Sequence, residues 1–153
     1  MLKKILIFIF CSAFFFGCEY RPVYQENVNN KINIDIISIE GDSSINPIIK
    51  SGLRRYSKND SLKKYKISII SNYSKNELSR DITGKVTNYR GTIFVNFEVN
   101  INESQIKKNF KFQKNFNIKN TLNNFEQLNY ENTLKKNLTS TILNEFLKEL
   151  LLI

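Results

Sequence analysis

Cys11 and Cys18 are the only thiols in this 153-residue sequence, which contains no histidine and no tryptophan. A thiol can be alkylated, oxidised or bound to a metal. Without histidine, neither a His-paired nucleophile nor a His-bearing metal site can be built, and two cysteines cannot make a multi-disulfide scaffold. Carboxylates such as Asp81 and Glu98 are present, as are serines and lysines, but no motif assigns any of them a catalytic role. The sequence has no G-x-x-x-x-G-K-[ST], no G-x-G-x-x-G and no G-x-S-x-G. No catalytic residue, metal or cofactor is therefore expected, and the chain reads as a non-enzyme. What remains is cationic chemistry. Arginine grips a phosphate with two parallel hydrogen bonds, and lysine meets it as a point charge. Arg80, Lys85 and Arg90 fall around one strand connection, and Lys107 and Lys111 fall on one polar strand face. These five are the candidate anion-binding residues.

Cys18 sits at the end of a leader-like segment. Lys3 and Lys4 form a positive start, and Ile5 to Phe16 is an apolar run of twelve residues. Spanning a bilayer takes about 20 residues, so this run is the length of a secretory signal rather than of a transmembrane helix. Phe15-Phe16-Gly17-Cys18 resembles the bacterial lipobox, in which a small residue precedes the cysteine that receives diacylglycerol. Gly17 fits the cleavage position, whereas Phe16 replaces the small residue usual two places before the cysteine. Residues 1–17 are thus expected to be removed and Cys18 to be lipidated. Several acyl chains on one residue anchor firmly, at about 0.8 kcal/mol per buried CH₂. Glu19 follows the cysteine, not the aspartate that often retains lipoproteins in the inner membrane. A lipid-anchored position on the periplasmic side of the outer membrane is the expectation.

The formal net charge is +9, from 23 Lys+Arg against 14 Asp+Glu. Asparagine, isoleucine and lysine together make 61 of the 153 residues, while alanine occurs once, at Ala13. Such usage follows A/T-rich codons, so part of the charge is read as coding bias. A basic chain invites a nucleic-acid reading. Phe110 and Phe112 do alternate with Lys111, but alternation places rings and charge on opposite strand faces, so stacking and charge do not converge. Nucleic acid is not expected as a partner.

The candidate cations depend on a scaffold whose strands and helices show in the pattern of apolar residues. Residues 18–30 contain Pro22 and little periodicity and form a tether; residues 31–153 form a single domain. Ile32, Ile34 and Ile36 alternate as a first strand. Gly41-Asp42-Ser43-Ser44 breaks it, and a helix runs roughly from Ile45 to Ser57, with Pro47 in its first turn. A second strand begins near Lys64 and loosens through Ser79; Asp81 to Asn88 is either a loop or more sheet. Ile93, Val95, Phe97, Val99 and Ile101 make one apolar strand face. Ile106 to Ile118 alternates again, with one wholly polar face. After a linker from Asn120 to Asn129, apolar residues spaced by four from Tyr130 to Leu150 mark a C-terminal helix that is expected to run from Tyr130 to Ile153. The order β-α-β-β-β-α predicts an α+β two-layer sandwich: a four-stranded, largely antiparallel or mixed sheet, covered on one face by two helices.

Cys18-Glu19-Tyr20-Arg21-Pro22-Val23-Tyr24 resembles the start of mature lipopolysaccharide-assembly lipoproteins of the LptE family, alphaproteobacterial type, which commonly reads Cys-Gly-Phe-Arg-Pro-Leu-Tyr. Arg21, Pro22 and Tyr24 match; Tyr20 and Val23 are conservative replacements; Glu19 departs. Thr87-Asn88-Tyr89-Arg90 before the long alternating strand is similar to that family as well. The resemblance implies a two-layer sandwich with no enzymatic activity. It implies an LptD-type outer-membrane β-barrel and lipopolysaccharide as partners, and a role in assembling that barrel and inserting lipopolysaccharide into the outer membrane. The basic residues would then suit phosphorylated lipid. The alternatives are a lipoprotein accessory to another envelope lipid transporter and a periplasmic hydrolase.

Overall fold

The computed structural model describes residues 32–57, 63–101, 106–121 and 123–153. The expected leader, Cys18 and the expected tether lie outside the described residues. The elements are β1 (Ile32–Gly41), α1 (Asn46–Leu53) with a 3-10 turn (Arg54–Tyr56), β2 (Lys63–Arg80), β3 (Val86–Ile101), β4 (Lys107–Lys119) and α2 (Asn124–Leu150). The strands lie in sequence order in one sheet. β1 and β2 are parallel, because α1 carries the chain back between them. The short connections after β2 and β3 leave only antiparallel pairing for the rest. The fold is the expected α+β sandwich, and its sheet is mixed.

Alternation decides which side chains enter the core. Ile67, Ile69, Ile93, Val95, Phe97 and Val99 point to the helix side and are fully buried. On β1 the alternation is interrupted. Ile36 pairs with Ile67 and Ser38 with Ser68, so Ile37 is an unpaired bulge residue, 55% exposed. The extra residue returns Ile39 to the core side. Gly41 ends the strand at φ +104°, where a Cβ would lie 1.8 Å from the carbonyl oxygen of Ser71. Only glycine fits that approach.

Asp42 then starts the α1 region. Its carboxylate accepts from the amides of Ser44 and Ile45 and from the Ser44 hydroxyl. Burial raises its pKa, but those hydrogen bonds outweigh burial and hold the carboxyl below its ordinary value. α1 packs on β1 and against α2. Gly52 lets the two helices close, since a Cβ there would meet the Leu143 side chain at 2.2 Å.

α2 starts earlier than its apolar spacing predicts and ends at Leu150, before the expected Ile153. It begins at Asn124, within the expected linker, because the Asn123 side chain caps the amides of Phe125 and Glu126. Tyr130, the expected first residue of the stripe, is half exposed; burial starts one residue later, at Glu131. Across the core, the Phe146 ring stacks on Phe97 with centroids 4.0 Å apart and meets Phe110 edge-on at 5.6 Å. Aromatic pairs of this kind add about 1 kcal/mol beyond the area they bury. No helix among the described residues is long and apolar enough to cross a membrane.

Candidate anion-binding surface

β2 and β3 pair along nearly their whole lengths and make a long hairpin. Its tip is the turn from Asp81 to Lys85. The Asp81 carboxylate accepts from the Thr83 hydroxyl at 2.6 Å and from the amides of Thr83 and Lys85. The Thr83 hydroxyl bond, reinforced by those amides and the Lys85 charge, holds this exposed carboxyl below its ordinary range. Gly84 takes φ +84°, which closes the turn. Ile82 projects from the tip fully into solvent.

The turn also determines what Arg80 can do. One Arg80 guanidinium nitrogen donates to the Gly84 carbonyl at 2.7 Å, and the other pairs with the Glu77 carboxylate. Arg80 therefore pins its own hairpin end and presents only part of its fork outward. Lys85 is exposed at the turn, where its amide and carbonyl are both bonded to Asp81. Arg90 is exposed on the open sheet face, in a row with Asn76 and Asn117. These three cations are gathered at one end of the molecule.

Lys107 and Lys111 belong elsewhere. Lys111 lies in a row with Asn96 and Ile70, and Lys107 lies opposite Asn100. Arg90 and Asn96 are six residues apart on β3, about 20 Å at the usual rise of a strand. The five candidates therefore form two groups, not one. Lys107 is also paired with Glu98 at 3.1 Å, whereas Lys111 makes no ion pair among the described residues. A single small phosphate could not engage both groups. A large polyanion with several phosphates could.

Sequence reasoning missed the polar cluster that holds the hairpin to α2. Glu131 is 6% exposed. Its carboxylate accepts from the Tyr73 hydroxyl and from the Lys75 ammonium, each at 2.7 Å, and Lys135 lies 3.7 Å away. The Lys75 ammonium sits over the Tyr89 ring at 4.8 Å and that of Lys135 over the Tyr73 ring at 4.6 Å. Burial pushes the Glu131 carboxyl up, but Lys75, Tyr73 and Lys135 outweigh burial and hold it below its ordinary value. Burial first, and then the bond to Glu131, push the Tyr73 hydroxyl well above its ordinary value. A second inward lysine, Lys114, reaches Glu145 of α2 at 2.6 Å. The available signal was the break in strand alternation: Lys75 and Lys114 occupy positions that the apolar pattern reserves for the core.

Among the described residues no group of three or more Cys, Asp or Glu side chains is placed to hold a metal. The arrangement offers exposed cations on rigid strands, an open polar sheet face, and a hairpin end fixed by internal bonds.

No family model matches this chain, and no curated protein sequence matches it. Solved structures do. Rare lipoprotein B of Shewanella oneidensis overlays with a TM-score of 0.55 at 15% identity, over 80% of this chain and 97% of that one. A candidate lipoprotein of Caulobacter crescentus overlays with a TM-score of 0.50 at 9% identity, over 76% of this chain and 86% of that one. At these identities the likeness is one of fold.

Proposed function

We propose that this chain is an outer-membrane lipoprotein, anchored through lipid on Cys18, that acts as a non-enzymatic subunit of the lipopolysaccharide translocon in the manner of the LptE family. Its partners on this reading are an LptD-type barrel, which it helps to assemble, and lipopolysaccharide, which it helps to insert. The observation that carries the reading is a coincidence within one chain. A lipobox-like Cys18 followed by Arg21-Pro22 and Tyr24 precedes a fold that overlays rare lipoprotein B over 97% of that protein.

The geometry supports a binding role. The cations of the hairpin end and of β4 stand on strands fixed by the core and by the Glu131 cluster. Phosphates on one lipopolysaccharide molecule could meet them with little ordering of the protein. Depletion of the chain tests the reading: lipopolysaccharide should accumulate in the inner membrane while phospholipid transport continues. Normal surface lipopolysaccharide after depletion would overturn it. Neutralising Arg80, Lys85 and Arg90 together should weaken lipopolysaccharide binding by about tenfold or more, and unchanged binding would reduce the hairpin charge to coding bias.

A further inference from the structure

β4 is the last strand of the sheet, and among the described residues no strand lies beyond it. Its register with β3 is unbroken from Lys107 to Lys119. It contains no proline and no bulge, and what guards this edge is charge alone: its lysines, with Lys108 and Lys114 on the inward face, oppose pairing with an uncharged or basic strand.

The direction of its backbone groups follows from two bonds. The Ile101 amide donates to the Ile106 carbonyl at 3.3 Å, and the Asn120 amide to the Thr87 carbonyl at 2.8 Å. Both fit the parity in which even-numbered residues of β4 face β3. Hydrogen-bonded and non-bonded pairs alternate in an antiparallel ladder. The odd-numbered residues from Lys107 to Lys119 therefore turn their amides and carbonyls to the free edge. Their side chains lie on the open polar face. One set of residues thus supplies both an unpaired backbone edge and the side chains that flank it.

Charge selects what can pair there. β4 carries five lysines and no carboxylate. Lys107 and Lys114 are neutralised by Glu98 and Glu145, whereas Lys108, Lys111 and Lys119 make no ion pair among the described residues. A second copy of β4 would bring only more lysines, so self-pairing is opposed. A strand with alternate carboxylates would place them beside Lys111 and Lys119 on one face.

We propose that the β4 edge docks an extended, acidic β-strand of a partner protein, which continues the sheet by main-chain pairing while its carboxylates meet the lysines. The edge would take such a strand whether or not the chain serves lipopolysaccharide transport.

The test uses the full chain in detergent and a synthetic nonapeptide of alternating glutamate and valine, long enough to lie beside both Lys111 and Lys119, with a lysine-for-glutamate peptide as its counterpart. The acidic peptide should slow hydrogen exchange of the odd-numbered β4 amides by about tenfold or more, and the basic peptide should leave them unchanged. Gln113→Pro removes one outward amide and no bond to β3, so it should weaken the acidic peptide by about tenfold. The double variant Lys111→Glu with Lys119→Glu leaves the backbone intact and should transfer preference to the basic peptide. Acidic-peptide binding that leaves those amides unprotected would overturn the proposal, as would preference unaltered by the charge reversal. Protection that rises with protein concentration in the absence of peptide would also overturn it, by identifying a second copy as the occupant.

Discussion

The carboxylate of Glu131 on α2 accepts the Tyr73 hydroxyl of β2 at 2.7 Å, a contact spanning 58 residues of sequence. It joins the long hairpin to the helix at a point where the sheet has few apolar side chains left to offer. Lys75 and Lys135 complete the site, so a buried carboxylate is kept ionised.

Stability should therefore depend on pH at both ends. The folded-state pKa of Glu131 is depressed, so its contribution is present above the unfolded value of about 4.3 and is lost as pH falls through the lower folded value. Tyr73 is the reverse case: its raised pKa gives a contribution present below about pH 10 and lost as pH rises beyond it. Glu131→Gln should lower stability by about 2 kcal/mol at pH 7 and flatten the acid limb. Urea midpoints measured from pH 3 to pH 7 check this; an unchanged acid limb would remove Glu131 from the account.

The aromatic stack is the second determinant. Phe146 lies fully buried between Phe97 and Phe110. Phe146→Ala should destabilise the domain by about 3–5 kcal/mol, through lost transfer energy and the cavity left behind. Phe146→Leu should be milder. Equal losses for the two would mean that the ring geometry is immaterial.

Gly41→Ala should cost about 2 kcal/mol or more, because a Cβ at φ +104° runs into the Ser71 carbonyl. The neighbouring exposed residue Ser43 provides the control, and Ser43→Ala should change the thermal midpoint little.

Much of the fold was legible from alternation. Ile93, Val95, Phe97 and Val99 announced a central strand, and the polar odd-numbered residues of β4 announced a sheet open on one side. The distal hairpin was not legible. There the inward positions hold Tyr73, Lys75 and Glu77 rather than aliphatics, so the period-2 signal fades although pairing continues. The start of α2 was hidden for a different reason. Its first turns bury no apolar side chain, Phe125 and Leu128 being exposed, so no apolar row marks them and only the Asn123 cap does. Of the candidate cations, the sequence locates Arg80, Lys85 and Arg90 around the β2–β3 connection. It did not reveal that Arg80 is bonded to Gly84 and Glu77, because those contacts depend on the turn conformation.

Lipidation has its own check. Cys18→Ser should abolish labelling by a fatty-acid analogue and leave uncleaved precursor, while Cys11→Ser should change neither. Labelling that persists in Cys18→Ser would refute the anchor.

Purification under native conditions shows whether the chain has a barrel partner. A C-terminally tagged chain, extracted from membranes in mild detergent, should bring down a large outer-membrane β-barrel in near-equal amount, together with lipopolysaccharide. Recovery of the tagged, lipidated chain without any such barrel would contradict the translocon reading.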